Sequence, residues 1–187
     1  MLEIRPVKKG SPDVSKVEEL INSLFPKSER IPMAVLLSRA EKDFVDSLAF
    51  YDEDKFVGFS YSITNNGVTF IQYLAVDSTV QSKGYGSMIL NQIKAQYPNN
   101  RVVLNLEILD EDAENREQRI KRRAFYAKNG YEDAGIITTV NGNTLDTLIW
   151  GGTITIEELQ KLLKNFTGIL FGFFIKYKLR YSENRGF

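Results

Sequence analysis

Gln72-Tyr-Leu-Ala-Val-Asp-Ser-Thr-Val-Gln-Ser-Lys-Gly-Tyr-Gly-Ser87 reads as the end of a strand, a loop and the start of a helix. Thr69 to Val76 is rich in β-branched, aromatic and aliphatic residues, which fits a strand buried on at least one face, and Asp77-Ser78 ends it. Gln81-Ser82-Lys83-Gly84-Tyr85-Gly86-Ser87 then places two glycines two apart, free to take positive φ and to bring bare backbone close to a ligand. A helical stretch follows at once. A loop of this kind directs several N–H groups to one spot, where a phosphate would be held by those donors and by the positive end of the helix dipole.

Two nucleotide-binding patterns fail on the spacing. A Walker-type loop needs Gly-Lys followed by Ser or Thr, whereas here Gly86 precedes Ser87 and the lysine lies upstream at Lys83. A dinucleotide fingerprint needs a third small residue where Ile89 stands. Gln81-x-x-Gly84-x-Gly86 directly after a strand instead resembles the pyrophosphate loop (Q/R-x-x-G-x-G/A) of the GNAT superfamily of N-acetyltransferases. Downstream, Arg123-Ala-Phe-Tyr126-Ala-Lys-Asn-Gly130-Tyr131 is similar to the end of that family's later helix, and the order of elements from Asp46 to about Trp150 follows the family as well.

Composition sets limits around this reading. A chain of 187 residues, 43% hydrophobic and 26% charged, has the makings of a soluble domain that buries a core unaided. With 24 basic and 24 acidic residues the formal charge is zero, so nothing favours a nucleic-acid partner. There is no cysteine and no histidine, which removes thiol nucleophiles, imidazole bases and the usual zinc ligand sets, and no metal is expected. Met1-Leu-Glu-Ile-Arg-Pro lacks the pattern of a secretory signal, and the longest apolar run, Gly168 to Ile175, falls well short of the roughly 20 residues of a membrane span. A cytoplasmic protein without a membrane partner is the expectation.

Taken in order, Leu2 to Val7 alternates as a first strand, Val14 to Leu24 has helical spacing closed by Pro26, and a second helix is predicted from about Pro32 to Lys42. Ser47 to Tyr51, Phe56 to Ile63 and Thr69 to Val76 read as three consecutive antiparallel strands, the last two joined by Asn65-Asn66-Gly67. After the loop, Ile89, Leu90, Ile93 and Tyr97 mark a helix stopped by Pro98, and Arg101 to Ile108 is a further strand. Asn115 to Lys128 is predicted as a helix with Ile120, Ala124 and Ala127 on one face and Arg119, Arg122 and Tyr126 on another. Tyr131 to Val140 and Asn143 to Trp150 form a hairpin across Asn141-Gly142, and Thr155-Ile-Glu-Glu158 has capping-box spacing ahead of Leu159, Leu162, Leu163 and Phe166. Residues 1–166 are expected to form one acetyltransferase domain. Residues 167–187 are an aromatic and then basic tail, with Leu170, Phe171, Phe173, Phe174 and Ile175 to be covered by the sheet edge, by a helix or by a second copy in a homodimer.

The resemblance implies a mixed α/β fold, with a central, mostly antiparallel sheet that contains a splayed parallel pair and is flanked by helices. It implies acetyl-CoA as co-substrate, held by the backbone of Gln81, Ser82, Lys83, Gly84, Tyr85, Gly86 and Ser87, with the pantetheine arm pairing along Leu74, Ala75 and Val76. The acceptor is a primary amine, on a small molecule or a peptide. Tyr126 stands where the family places a general acid for the departing thiolate, and a phenol of ordinary pKa of about 10 carries its proton at neutral pH. The base is open between Glu107 and Glu29, because the strand position eleven residues before Gln81, a glutamate in some members, is Phe70 here. Arg119, seven residues before Tyr126, replaces an asparagine that contacts pantetheine in the family. The chemistry implied is direct acetyl transfer; a non-catalytic acyl-CoA sensor or scaffold with the same fold is the alternative.

Overall fold

The computed structural model describes residues 2–171 and 177–183. The chain divides into two compact units, Met1–Asn99 and Asn100–Phe187.

The first unit runs β1 (Glu3–Pro6), α1 (Val14–Leu24), α2 (Met33–Arg39), β2 (Val45–Asp52), β3 (Lys55–Asn65), β4 (Val68–Val76) and α3 (Tyr85–Gln96). Its strands lie in the order β1-β2-β3-β4, each antiparallel to its neighbour. The predicted run of three antiparallel strands into the loop is therefore present. The turn between β3 and β4 is the two-residue type that Asn-Gly specifies: Asn66 has φ 48° and Gly67 φ 74°, and Asn65 pairs with Val68 across it. In α1, Val17, Leu20 and Ile21 face the interior, as helical spacing requires. The second helix is shorter than predicted, Met33–Arg39 rather than a run to Lys42.

The sheet and α3 meet at Gly58. A Cβ there would lie 2.4 Å from the carbonyl oxygen of Ala75 on β4 and 2.9 Å from Cδ1 of Ile89 on α3. Only a residue without a side chain lets strand and helix come this close.

The second unit runs β5 (Arg101–Glu107), α4 (Arg116–Lys128), β6 (Glu132–Val140), β7 (Asn143–Trp150), α5 (Ile156–Phe171) and β8 (Tyr177–Tyr181), with strand order β5-β7-β6-β8, again antiparallel throughout. The capping box forms: Thr155 Oγ1 accepts from the backbone N–H of Glu158 at 3.2 Å, and a Glu158 carboxylate oxygen accepts from the N–H of Thr155 at 3.0 Å. Leu159, Leu162, Leu163 and Phe166 are buried behind it. Gly168, with φ 57°, puts a kink inside α5.

Two expectations need correction here. The sequence predicts no strand beyond α5, yet Tyr177–Tyr181 pairs along β6, with Tyr177 opposite Val140 and Tyr181 opposite Ile136. The face of α4 predicted to be apolar is turned outward: Ile120 is 40% exposed, and Ala124 and Ala127 are not buried. The inward residues are Arg119, Arg123 and Tyr126. The cause is electrostatic, since Arg123 pairs with Asp146, a buried carboxylate on β7 that requires a counter-ion. The aromatic run proposed to need cover, Leu170 to Ile175, lies outside the side chains described. Counting strands and helices together, the chain has the mixed α/β, mostly antiparallel class that the loop and helix motifs implied.

Candidate active site

The loop after β4 is built by short-range hydrogen bonds. Asp77 Oδ1 accepts from Thr79 N at 2.8 Å and from Thr79 Oγ1 at 2.6 Å, which turns the chain as it leaves the strand. Val80 is buried and anchors the turn. Gln81 folds back, its Nε2 donating to the Val76 carbonyl at 3.3 Å. Ser82 at φ 65° and Gly84 at φ 87° then take left-handed backbone, and Gly84 is the N-cap of α3. No side chain among the described residues caps this helix, so the N–H groups of Tyr85, Gly86 and Ser87, which have no acceptor within the helix itself, stand at the positive end of its dipole.

The two glycines are thus unlike each other. Gly84 needs the positive φ, and a Cβ there would meet nothing within 4 Å among the described residues, so they leave the backbone open on that side. Gly86 is helical, so of the two glycines free to take positive φ Gly84 alone uses that freedom. Ser82 supplies the second left-handed residue instead. Tyr85, which the sequence marks only as a spacer, reaches across to the β2–β3 hairpin: its hydroxyl donates to Asp52 Oδ2 at 2.6 Å. That bond pushes the exposed phenol's pKa up.

Leu74, Ala75 and Val76 lie at the end of β4, where Ala75 is buried and Leu74 and Val76 are half-buried. Beside them Tyr73 is a fastening that no motif signals. Its hydroxyl donates to the carbonyl of Glu29 at 2.7 Å and accepts the N–H of Ile31 at 2.9 Å, while its ring meets Phe25 edge-on at 4.9 Å. Burial pushes this phenol up to about 12, with the Ile31 bond working the other way. Glu29, one of the two predicted bases, is therefore carried on a segment pinned to β4. An open groove of about 300 Å³ adjoins that segment, with Glu18, Asn22, Lys27, Arg30 and Met33 on its walls.

The second unit gathers Tyr126, Glu107 and Arg122. Arg122 Nη1 pairs with Glu107 Oε2 between α4 and the end of β5. Tyr126, one helical turn on, is buried, with its ring edge-on to Phe125 at 5.1 Å and to Tyr131 at 5.6 Å. Burial pushes its hydroxyl up to about 12, Arg122 pulls it partly back, and Glu107 adds to the rise. The spacing of the motif has a local cause. Gly130 at φ 79° ends α4 and lets the N–H of Tyr131 return to the Tyr126 carbonyl at 3.0 Å. Arg119, the departure from the family's asparagine, is used to fix the helix: Nε donates to Asn115 Oδ1 at 2.7 Å and Nη1 to the Ile108 carbonyl at 2.8 Å. Arg122 is visible in the sequence only as a neighbour of Tyr126 at helical spacing. Its pairing with Glu107, 15 residues away, is not.

A chain that combines this mixed α/β class with a bare-backbone loop between strand and helix has the features of a GNAT acetyltransferase. Residues 45–133, from β2 into the start of β6, match the family model of the acetyltransferase (GNAT) domain. No curated protein sequence matches the chain. In fold it is similar to a GNAT-family protein from Bacteroides thetaiotaomicron described as an acetyltransferase, at TM-score 0.69 and 17% identity over 91% of this chain and 98% of that one. It is similar as well to an aminoglycoside 6'-N-acetyltransferase complexed with coenzyme A, at TM-score 0.62 and 17% identity over 79% and 96% of the two chains. A third such structure is the ribosomal-protein-S18-alanine N-acetyltransferase from Escherichia coli, at TM-score 0.59 and 15% identity over 84% and 97%. No helix among the described residues is long and apolar enough to cross a membrane.

Proposed function

We propose that this chain is an acetyl-CoA-dependent N-acetyltransferase that moves the acetyl group directly to a primary amine. The observation that carries this reading is the loop from Gln81 to Ser87, with left-handed backbone at Ser82 and Gly84 opening directly into the uncapped N-terminus of α3. Its N–H groups would hold the pyrophosphate, and Leu74 to Val76 would pair with the pantetheine arm as if with another strand. The similarity in fold to an acetyltransferase complexed with coenzyme A supports the choice of donor.

In the reaction, the acceptor nitrogen attacks the thioester carbonyl carbon, the surplus proton on nitrogen is lost to water as the amide forms, the C–S bond breaks, and the departing sulfur takes a proton as it leaves. Tyr126 is the donor of that proton, since burial keeps its hydroxyl protonated at any physiological pH. The attacking amine has to lose a proton first. We assign that step to Glu29, acting through water, because it sits on the segment that Tyr73 pins to β4. Glu107 then serves as counter-ion to Arg122 and so sets the field at the Tyr126 hydroxyl. The groove between α1 and the residues before α2 is the acceptor's place in this reading. The neighbours named for aminoglycoside and ribosomal-protein alanine acetylation span both small-molecule and protein amines, so an amine screen has to include both classes.

Thermal unfolding with acetyl-CoA, coenzyme A and ATP at matched concentrations tests the donor. A ligand at about 100 times its Kd adds about 2.7 kcal/mol to the native state, which is a shift of roughly 5 to 11 °C for a chain of this size. Stabilisation by both coenzyme A forms but not by ATP is the expected result. No shift with either, well above millimolar concentration, rejects the reading.

A further inference from the structure

Gln72 stands where the pairing of β3 with β4 slips. Tyr61 pairs with Tyr73 and Ser62 with Ile71, so Gln72 is the extra residue of a β-bulge. Its Oε1 is buried and accepts no hydrogen bond from the described residues. Folded chains rarely leave a buried acceptor without a donor unless the group is reserved for something else. The side chain as a whole is only half-buried, as are Leu74 and Val76, whereas Ile71, Tyr73 and Ala75 between them are buried. One side of β4 is thus partly open, and Gln72 is the polar member of the row Gln72, Leu74, Val76.

On the donor reading, β4 carries the pantetheine arm. An arm that leaves the loop and runs up β4 past Val76 and Leu74 comes level with Gln72 after about 13 Å, at about 3.3 Å per residue. That is the thioester end of the arm. Pantetheine contains amide N–H groups, and along a regular strand they would find main-chain carbonyls. At a bulge the main-chain ladder is interrupted. A carboxamide has the same acceptor as a peptide group and can stand in for it. The terminal torsion of glutamine is broad and roughly two-fold, so the oxygen can turn from its buried position to the ligand with no backbone movement.

We propose, resting on that donor reading, that Gln72 is a positioning residue that accepts an amide N–H of the acyl-coenzyme A pantetheine arm near the thioester. Isothermal titration of wild type, Gln72→Met and Gln72→Leu with two ligands tests this: acetyl-CoA, and adenosine 3',5'-bisphosphate, which has the phosphate end without the arm. The expected result is a Kd for acetyl-CoA raised about five-fold in both variants, the loss of one net hydrogen bond, with the Kd for the bisphosphate unchanged. Unchanged binding of the bisphosphate also shows that the variant is folded with its loop intact. An unchanged Kd for acetyl-CoA overturns the assignment, as does a parallel loss of both ligands, which marks a structural role. Wild-type protein that binds neither ligand overturns the donor reading, and this assignment falls with it.

Discussion

Replacing Tyr126 by phenylalanine isolates the proposed general acid. The ring stays, and with it the edge-on contacts to Phe125 at 5.1 Å and Tyr131 at 5.6 Å, so packing changes little. The size of the catalytic loss follows from the pKa. Burial holds the hydroxyl at about 12, whereas an ordinary thiol titrates near 8.5. Full proton transfer from phenol to free thiolate would then be uphill by roughly 5 kcal/mol. Tyr126 is therefore not a reservoir that protonates a finished thiolate. In the proposed role it would act as the C–S bond breaks, on a sulfur whose basicity is raised by removal from water. General acids contribute typically 10² to 10⁴ in rate, and one so mismatched belongs at the low end, about 10²-fold or ~2.7 kcal/mol. The assay is steady-state release of coenzyme A thiol with an amine found by screening, together with titration of acetyl-CoA. A kcat down by about 10² with the acetyl-CoA Kd within about two-fold of wild type is the expected outcome. An unchanged kcat refutes the acid role. A lost Kd with kcat preserved makes Tyr126 a wall of the donor site instead.

Packing and titration supply two more tests. Gly58→Ala forces a methyl group to within 2.4 Å of the Ala75 carbonyl, an overpacking of about 1–3 kcal/mol that lowers Tm by roughly 3 to 10 °C in a thermal melt; a melt at the wild-type temperature rejects the close approach. Tyr126 and Tyr73, both held near 12 by burial, keep their protons more firmly folded than unfolded, so their contribution is full below about pH 10 and is lost as pH rises through about 12. Each two-unit shift is worth roughly 3 kcal/mol, so urea midpoints should hold to about pH 10 and then fall, and Tyr73→Phe should blunt that fall; a midpoint flat to about pH 12 rejects it.

What could be read from the sequence was local. Asn66-Gly67 and Asn141-Gly142 set their turns with the residues of the turn alone, and the hairpin strands on either side came out close to their observed bounds. The capping box at Thr155 and the stop at Gly130 are local in the same way. The features that escaped depend on partners far off in the chain. Tyr73 is fastened to residues 42 and 44 positions earlier. β8 is a strand only because β6 offers it an edge, and Tyr-Lys-Leu-Arg-Tyr by itself reads as a basic tail. On α4, hydrophobic periodicity points to Ile120, Ala124 and Ala127, but the inward face is held by charge, through Asp146 and the Ile108 carbonyl. The loop was legible as a pattern of glycines; which glycine is left-handed, and that Ser82 shares the role, was not.

The devices around β4 act on one quantity, the position of that strand relative to the donors at the start of α3. Gly58 touches both sides of it, lying against Ala75 on the strand and Ile89 on the helix, so strand and helix are set from the same point. Tyr73 fixes the strand from elsewhere by holding the segment of Glu29 and Ile31 against it. Gln81 ties the loop back to the strand's last residue, and Tyr85 ties it to Asp52 on the neighbouring hairpin. On the donor reading, an acyl-CoA gripped at its phosphates by the loop and along its arm by β4 would arrive at the bulge with little freedom left. The pairing interruption at Gln72 falls where that freedom has to end, because a thioester misplaced by about an ångström loses most of what proximity supplies. The side chain most sensitive to the arm, and least to the phosphates, is then the one at the bulge. Gly58→Ala, which moves strand and helix together, should instead weaken both ends of the donor alike.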